Sequence, residues 1–143
     1  MISLEECMKK GLIVKAPGSD ALVRGSMEKA RELLAEARED LERGALNSAT
    51  VIGYAAAFSA ARALVFNKGF REKGHACVAR FVESHYPDFP EREIDLLDRY
   101  RSERHGVLYE VRRSAGAEDA REMVEFGEGF LKQAEKALAR GKK

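Results

Sequence analysis

The stretch from residue 48 to residue 66 is the feature that most constrains the fold of this chain. It is apolar or small on nearly every side of a helix, and it carries a single charged residue, Arg62. A helix on the surface of a protein keeps one polar face, so a helix that is apolar all round is expected to be buried among other helices. Its many alanines would let those neighbours approach closely. The sequence therefore predicts a central core helix.

A membrane-spanning helix is the alternative interpretation of this stretch, because about 18 or more consecutive apolar residues can cross a bilayer. Polar residues interrupt it, namely Ser48, Thr50, Ser59 and Arg62. They make insertion into lipid unfavourable, and charged amphipathic segments flank the stretch on both sides. We therefore interpret it as a buried helix and expect no association with a membrane.

The composition is that of one charged, mostly helical, soluble domain. A chain of 143 residues is long enough to bury a core without division into several domains. Hydrophobic residues make up 45% of it and charged residues 34%. The formal net charge of +1 gives the whole molecule no strong attraction to nucleic acid, so any such binding site must be a local patch.

The two cysteines, Cys7 and Cys77, lie far apart in the chain, outside any Cys-x-x-Cys motif and without a histidine pair at metal-ligand spacing. This pattern predicts two free thiols and no metal site. The first residues lack the basic region followed by an apolar core that is typical of a secretory signal, so the cytoplasm is the expected compartment.

Apolar residues recur every three or four positions on both sides of the central stretch, which indicates amphipathic helices. The pattern predicts an all-α fold, an up-and-down bundle of four to five helices, within residues 19–139. Residues 1–18 are expected to add a short helix capped by Ser3 and an apolar anchor. No strand is predicted, and residues 70–74 are expected to form a polar loop. The predicted helices cover approximately residues 3–10, 19–43, 48–67, 75–84, 91–111 and 117–139.

The helix predicted over residues 91–111 holds the main concentration of functional groups. Four of its polar side chains fall within about a third of the helix circumference: Arg101, Arg104, His105 and Arg112. Guanidinium groups match the oxygens of a phosphate, and an imidazole can transfer protons near neutral pH. The alternative is a solvated face in which neighbouring carboxylates pair with the arginines. Those carboxylates are Asp95, Asp98, Glu103 and Glu110.

A glycine in the middle of this helix, Gly106, needs a reason, because glycine destabilises a helix interior by about 1 kcal/mol relative to alanine. Close approach of another helix or of a partner subunit would supply one. Two other histidines flank an earlier predicted helix: His75 at its start, as a cap or facing water, and His85 at its end. The chain lacks a glycine-rich phosphate loop, a Gly-x-Ser-x-Gly motif and paired inward carboxylates, so no cofactor is predicted.

Two segments resemble the signatures of HEPN domains (higher eukaryotes and prokaryotes nucleotide-binding). The segment from Tyr54 to His75 combines an alanine-rich helix with central aromatic residues, a Lys68-Gly69 turn and a histidine that opens the next helix. The later segment Arg104–Glu110 resembles the second signature, in which an arginine is followed by a polar residue and, after three more, by histidine or tyrosine. The resemblance covers about residues 19–139.

This resemblance implies a helical bundle that dimerises, with the signature helices of two subunits facing each other across a cleft. Many prokaryotic members are encoded beside a minimal nucleotidyltransferase and form a toxin–antitoxin pair with it. Members with an Arg-x4-His motif are metal-independent ribonucleases. In this chain Arg104 matches the motif arginine, His105 the polar residue after it, and Tyr109 the motif histidine. A tyrosine has a pKa of about 10 and transfers protons poorly at neutral pH. The imidazole of His105, one turn before Tyr109, could transfer the proton in its place.

Two hypotheses about function follow. The first is a homodimeric binding protein that partners a minimal nucleotidyltransferase and engages nucleotide or RNA through Arg101, Arg104 and Arg112. The second is a metal-independent endoribonuclease that uses Arg104, His105 and Tyr109, with Arg101 as a further candidate. Both hypotheses predict self-association through the helix that carries Tyr109.

Overall fold

The structure is a computed structural model that describes residues 2–18 and 20–140 of the chain. It is an all-α bundle, as predicted, with one very small sheet. The order of elements is α1 (Leu4–Lys9), β1 (Ile13–Lys15), α2 (Asp20–Glu42), α3 (Leu46–Asn67), β2 (Phe70–Glu72), α4 (His75–His85), α5 (Glu91–Tyr109) and α6 (Ala117–Arg140).

Helix α3 is the core helix that the apolar stretch predicts. It contacts α2, α4, α5 and α6. Its length and apolarity would allow it to cross a membrane, but 72% of its most apolar window is buried inside the fold, as in the core helix of a folded domain. Small residues bring α3 and α6 together: a Cβ atom added to Gly127 would lie 3.0 Å from the carbonyl oxygen of Gly53.

Helix α2 packs beside α3 through one apolar face, which includes Met27, Leu34 and Ala37. Gly44 lies in the turn between the two helices with a φ of 76°, a left-handed backbone conformation that glycine adopts without steric penalty. The buried carboxylate of Asp40 accepts hydrogen bonds from Arg43 in this turn and from Ser48 in α3. A helix-to-helix connection this short makes α2 and α3 antiparallel neighbours.

The segment before α2 lies against α4 and the loop that precedes it. Ser3 caps α1 as predicted, because its side chain accepts a hydrogen bond from the backbone N–H of Glu6. Strand β1 pairs antiparallel with β2, with Ile13 opposite Glu72. The prediction of no strand, and of a polar loop over residues 70–74, is wrong for these short segments. Runs of three residues are too short to show the alternation that identifies a strand in a sequence.

Cys7 and Cys77 form a disulfide bond between α1 and α4. The prediction of two free thiols is therefore wrong. A separation of 70 residues along the chain carries no information about their distance in space, which the packing of α1 on α4 determines. Location in the cytoplasm stays a prediction, and there the bond would meet reducing thiols.

The remaining differences from the predicted elements are at helix ends. Helix α5 ends at Tyr109 rather than at Val111, so Arg112 belongs to the turn that follows. Helix α6 continues to Arg140. The first residue of the helix predicted over residues 19–43, Ser19, lies outside the described residues.

Candidate functional site

A surface cavity of about 180 Å³ opens where α2, α3, α4 and α5 meet. Three of its lining side chains are positively charged, those of Lys29, Arg62 and Arg104. A tyrosine and a histidine, Tyr54 and His75, add groups that can form hydrogen bonds. The lining residues are Lys29, Leu33, Tyr54, Ala55, Phe58, Ser59, Arg62, His75 and Arg104. We call this the Arg104 cavity.

Helix α3 supplies one wall of the Arg104 cavity because Tyr54, Phe58 and Arg62 are spaced four residues apart and so share one face. The three do not have the same surroundings. Tyr54 is only 2% exposed, whereas Phe58 and Arg62 are partly accessible. Arg62 donates through its Nε to the carboxylate of Glu72 on β2, which ties this wall to the small sheet.

His75 reaches the Arg104 cavity as the first residue of α4. Gly74 occupies the N-cap position with an extended backbone, so the imidazole is not used as a cap. The ring instead stacks face to face on Phe58, with centroids 3.9 Å apart and planes 4° from parallel. Its Nδ1 lies 3.4 Å from the hydroxyl oxygen of Tyr54. The imidazole is therefore held by two residues of the core helix.

Helix α5 contributes two arginines to this region. The guanidinium carbon of Arg104 lies 5.9 Å from the centroid of the Tyr54 ring. Arg101 lies one turn earlier, close enough for its charge to act on both Tyr54 and His75. The Nε atom of Arg101 is buried and has no hydrogen-bond partner within the described residues. Arg101 does not itself line the cavity, so it acts on the site through its charge.

The surroundings shift the pKa values of both ionisable rings in the cavity. Burial lowers the pKa of His75 from its ordinary value, and the positive charges of Arg104, Arg101 and Arg62 lower it further. Burial raises the pKa of Tyr54 to about 12, although the two α5 arginines act in the opposite direction. At neutral pH the site therefore holds a neutral imidazole and a neutral phenol among fixed positive charges.

The structure separates the other predicted site residues from this cavity. The rings of His105 and Tyr109 lie 4.8 Å apart at the end of α5, and both side chains are exposed, Tyr109 by 65%. Arg112 is exposed in the following turn. None of these three residues lines the Arg104 cavity. The basic stripe predicted for this helix thus divides into an inner pair, Arg101 and Arg104, and an outer group.

The alternative of a salt-bridged face holds only for part of α5. Arg113 forms salt bridges with Glu103 and Glu110, at 3.6 and 3.7 Å. Asp98 pairs instead with Arg80 of α4, at 2.6 Å. No salt bridge to Arg104 is found among residues 2–18 and 20–140. Its charge is available to a ligand.

Gly106 is explained within the chain itself. A Cβ atom added there would lie 2.6 Å from a guanidinium nitrogen of Arg113, whose side chain folds back over the glycine. The close approach anticipated from the sequence is therefore made by the segment that follows α5. Because the contacting group is the end of a flexible side chain, it could move to admit a methyl group.

Sequence reasoning assigned no role to Tyr54, Phe58 and Arg62 beyond family resemblance. Their four-residue spacing was readable, but it is equally typical of core positions on a helix. Placing them beside His75 required the packing of α4 against α3. Among the described residues, no group of three or more histidine, cysteine, aspartate or glutamate side chains is placed to hold a metal ion.

Comparison with protein families gives a match to one family model. Residues 23–138 match the HEPN domain. The match begins within α2 and ends within α6, and it includes every residue that lines the Arg104 cavity. It leaves out α1 and β1. A search of curated proteins finds no match to the chain.

Proposed function

Because the chain belongs to the HEPN domain family, we propose that it binds RNA or a nucleotide through a phosphate group held in the Arg104 cavity. The observation that carries this proposal is the convergence of Lys29, Arg62 and Arg104 on one cavity. Guanidinium groups bind phosphate oxygens with paired, charge-assisted hydrogen bonds. Arg101 does not line the cavity, but its positive charge acts on Tyr54 and His75 there.

The size of the cavity favours a phosphate over a whole nucleotide. Pockets that enclose a small organic ligand usually measure about 300–1,000 Å³, whereas this one measures about 180 Å³. It can take a phosphate and part of the attached ribose, while the base stays outside. We therefore favour a ligand that lies across the surface, such as a single strand of RNA.

An RNA-binding measurement tests this proposal. Arg104→Ala should weaken retention of a labelled single-stranded RNA by about tenfold or more, as expected for loss of a charged hydrogen-bonding group. Affinity should also fall as salt is added, because released counterions drive phosphate binding. Arg121→Ala is the matched control, since Arg121 is exposed on α6 away from the cavity. Equal binding by both variants and the wild type would refute the proposed site.

We further propose that the chain forms a homodimer through the end of α5. Three large apolar side chains are exposed there, Leu108 by 44%, Tyr109 by 65% and Val111 fully. Neighbouring exposed apolar groups are typical of a contact surface. Sedimentation should show a dimer that Val111→Asp weakens, whereas a monomer at micromolar concentration would rule the dimer out.

The partner proposed from family resemblance is a minimal nucleotidyltransferase, in a toxin–antitoxin pair. Copurification with a nucleotidyltransferase encoded beside this chain is the direct test. A complex that survives gel filtration would support the pairing. Absence of association when both proteins are expressed together would contradict it.

A metal-independent endoribonuclease is the second candidate function. One observation favours it: the Arg104 cavity contains the imidazole of His75, whose pKa is lowered, beside the arginine proposed to bind phosphate. The sequence hypothesis assigns the chemistry to Arg104, His105 and Tyr109. Cleavage of RNA in the presence of a chelator, lost in Arg104→Ala, would support a nuclease. Binding without cleavage would leave the first function alone.

A further inference from the structure

We propose that His75 is the catalytic residue that accepts a proton from the ribose 2′-hydroxyl when RNA is cleaved in the Arg104 cavity. This inference rests on the proposed endoribonuclease function and moves its proton acceptor from the end of α5 to the start of α4. It is carried by the position of the imidazole, which shares one cavity with Arg62 and Arg104.

The imidazole is oriented by its contacts with the core helix. Stacking on Phe58 fixes the plane of the ring, and the hydroxyl of Tyr54 lies 3.4 Å from Nδ1. In the tautomer in which Nδ1–H donates to the Tyr54 oxygen, Nε2 carries the lone pair. A base held through one ring nitrogen can accept a proton at the other. Tyr54 is therefore a positioning residue for His75.

The charged groups around His75 keep it unprotonated until a ligand arrives. Arg62, Arg101 and Arg104 disfavour the imidazolium. Two carboxylates on elements that surround the cavity are themselves paired with arginines, Glu72 with Arg62 and Asp98 with Arg80. A bound phosphate would offset the arginine charges and make proton uptake by the imidazole more favourable. The site thus becomes more basic when the substrate is in place.

The proposed step is a transesterification that needs no metal and no redox partner. The 2′-oxygen attacks the adjacent phosphorus while its proton passes to Nε2 of His75. A bond forms between the 2′-oxygen and phosphorus, and the bond between phosphorus and the 5′-oxygen breaks. The 5′-oxygen takes a proton from water, and the imidazolium of His75 returns its proton to that water, leaving a 2′,3′-cyclic phosphate, a 5′-hydroxyl and a neutral imidazole. Arg104 stabilises the negative charge that develops on the phosphoryl oxygens.

Single-turnover cleavage of a short RNA in the presence of a chelator tests the assignment. His75→Gln should reduce the cleavage rate by about 10²–10⁴-fold, the usual contribution of a general base. Its affinity for an RNA with a 2′-deoxyribose at the cleavage position should stay within about threefold, because the arginines remain. Thermal unfolding should show that the variant is folded. His85→Gln is the matched control, since His85 stacks on Phe81 at the far end of the same helix.

The pH dependence separates a catalytic role from a structural one. In the wild type the cleavage rate should rise with pH as His75 loses its proton, and His75→Gln should remove this dependence. Tyr54→Phe should shift the pH profile and lower the rate less than His75→Gln does.

The outcomes distinguish this inference from the function on which it rests. A wild-type protein that cleaves no RNA would overturn both. Cleavage that is lost in Arg104→Ala but retained in His75→Gln would overturn the role of His75 and leave the nuclease standing. Cleavage that His105→Gln alone abolishes would return the proton acceptor to α5.

Discussion

The imidazole of His75 lies face to face with the ring of Phe58, with ring centroids 3.9 Å apart. This contact joins the first turn of α4 to the middle of the core helix α3. Between the two residues in the chain lie the end of α3 and strand β2. The position of the imidazole therefore depends on the small sheet and on the packing of α4, as well as on the arginines that α5 supplies.

The surroundings of His75 predict how its pKa responds to mutation. NMR titration should give a pKa below the ordinary value of 6.5, because burial and three arginines disfavour the charged ring. Arg104→Ala should raise this pKa, since it removes a positive charge, and bound inorganic phosphate should raise it in the wild type. Arg121→Ala should leave it unchanged. A pKa that does not respond to Arg104→Ala would show that the two groups are not close in solution.

The same shift affects stability at low pH. The folded protein binds the His75 proton less readily than the unfolded chain does, so the unfolded state gains protons first as the pH falls below 6.5. Above pH 6.5 the imidazole is neutral in both states and does not oppose folding. Below pH 6.5 protonation of the unfolded chain lowers the free energy of unfolding. Urea unfolding near pH 7 and near pH 5 should show a smaller loss of stability in His75→Gln than in the wild type.

The sequence predicted much of the fold because burial on all sides of α3 leaves a clear pattern, and the apolar faces of α2 and α6 repeat at helical spacing. The cluster on α5 marked Arg104 as a candidate, and in the structure Arg104 lines the cavity. The place of His75 beside Phe58 could not be derived, because it depends on how α4 packs after a strand of three residues. The disulfide was missed for the same reason, since no local pattern connects Cys7 with Cys77.

A glycine at the crossing of α3 and α6 and a glycine on the exposed side of α2 should respond in opposite ways to substitution by alanine. In Gly127→Ala the added methyl group would lie 3.0 Å from the carbonyl oxygen of Gly53. Because this oxygen belongs to the backbone of α3, it can move away only if the two helices separate. We expect a loss of about 1–3 kcal/mol in unfolding free energy. Gly25→Ala in α2 is the control, because nothing lies within 4 Å of its added methyl group. It should stabilise the protein by about 0.5–1 kcal/mol, and similar losses in both variants would refute the close crossing.

The turn between α2 and α3 predicts a pH-dependent contribution from Asp40. Hydrogen bonds from Ser48 and Arg43, at 2.6 and 2.5 Å, lower the pKa of Asp40 below 3.8. Its stabilising effect is present above pH 4 and is lost as the pH falls through the lowered pKa. Asp40→Asn should therefore reduce the unfolding free energy by about 1.5–3 kcal/mol at pH 7 and by less at pH 3. Asp95→Asn, at an exposed position on α5, is the control, and an equal loss at both pH values would contradict the account.

The disulfide between Cys7 and Cys77 predicts that reduction destabilises the whole domain. Closing a loop with a sequence separation of 70 residues lowers the entropy of the unfolded chain, which corresponds to about 4 kcal/mol in the chain-entropy model. A thiol reductant should therefore lower the melting temperature of the wild type. Cys7→Ser should melt at the lower temperature with or without reductant.

Reduction should also affect the segment that lies outside the family match. The bond joins α1 to α4 two residues after His75, while the pairing of β1 with β2 holds the loop before His75. Without the bond, amide hydrogen exchange should accelerate first in α1, and the His75 pKa should move toward its ordinary value as its burial decreases. Faster exchange in α1 with an unchanged His75 pKa would mean that the small sheet alone positions the imidazole. Unchanged exchange in α1 would contradict the stabilising role of the bond.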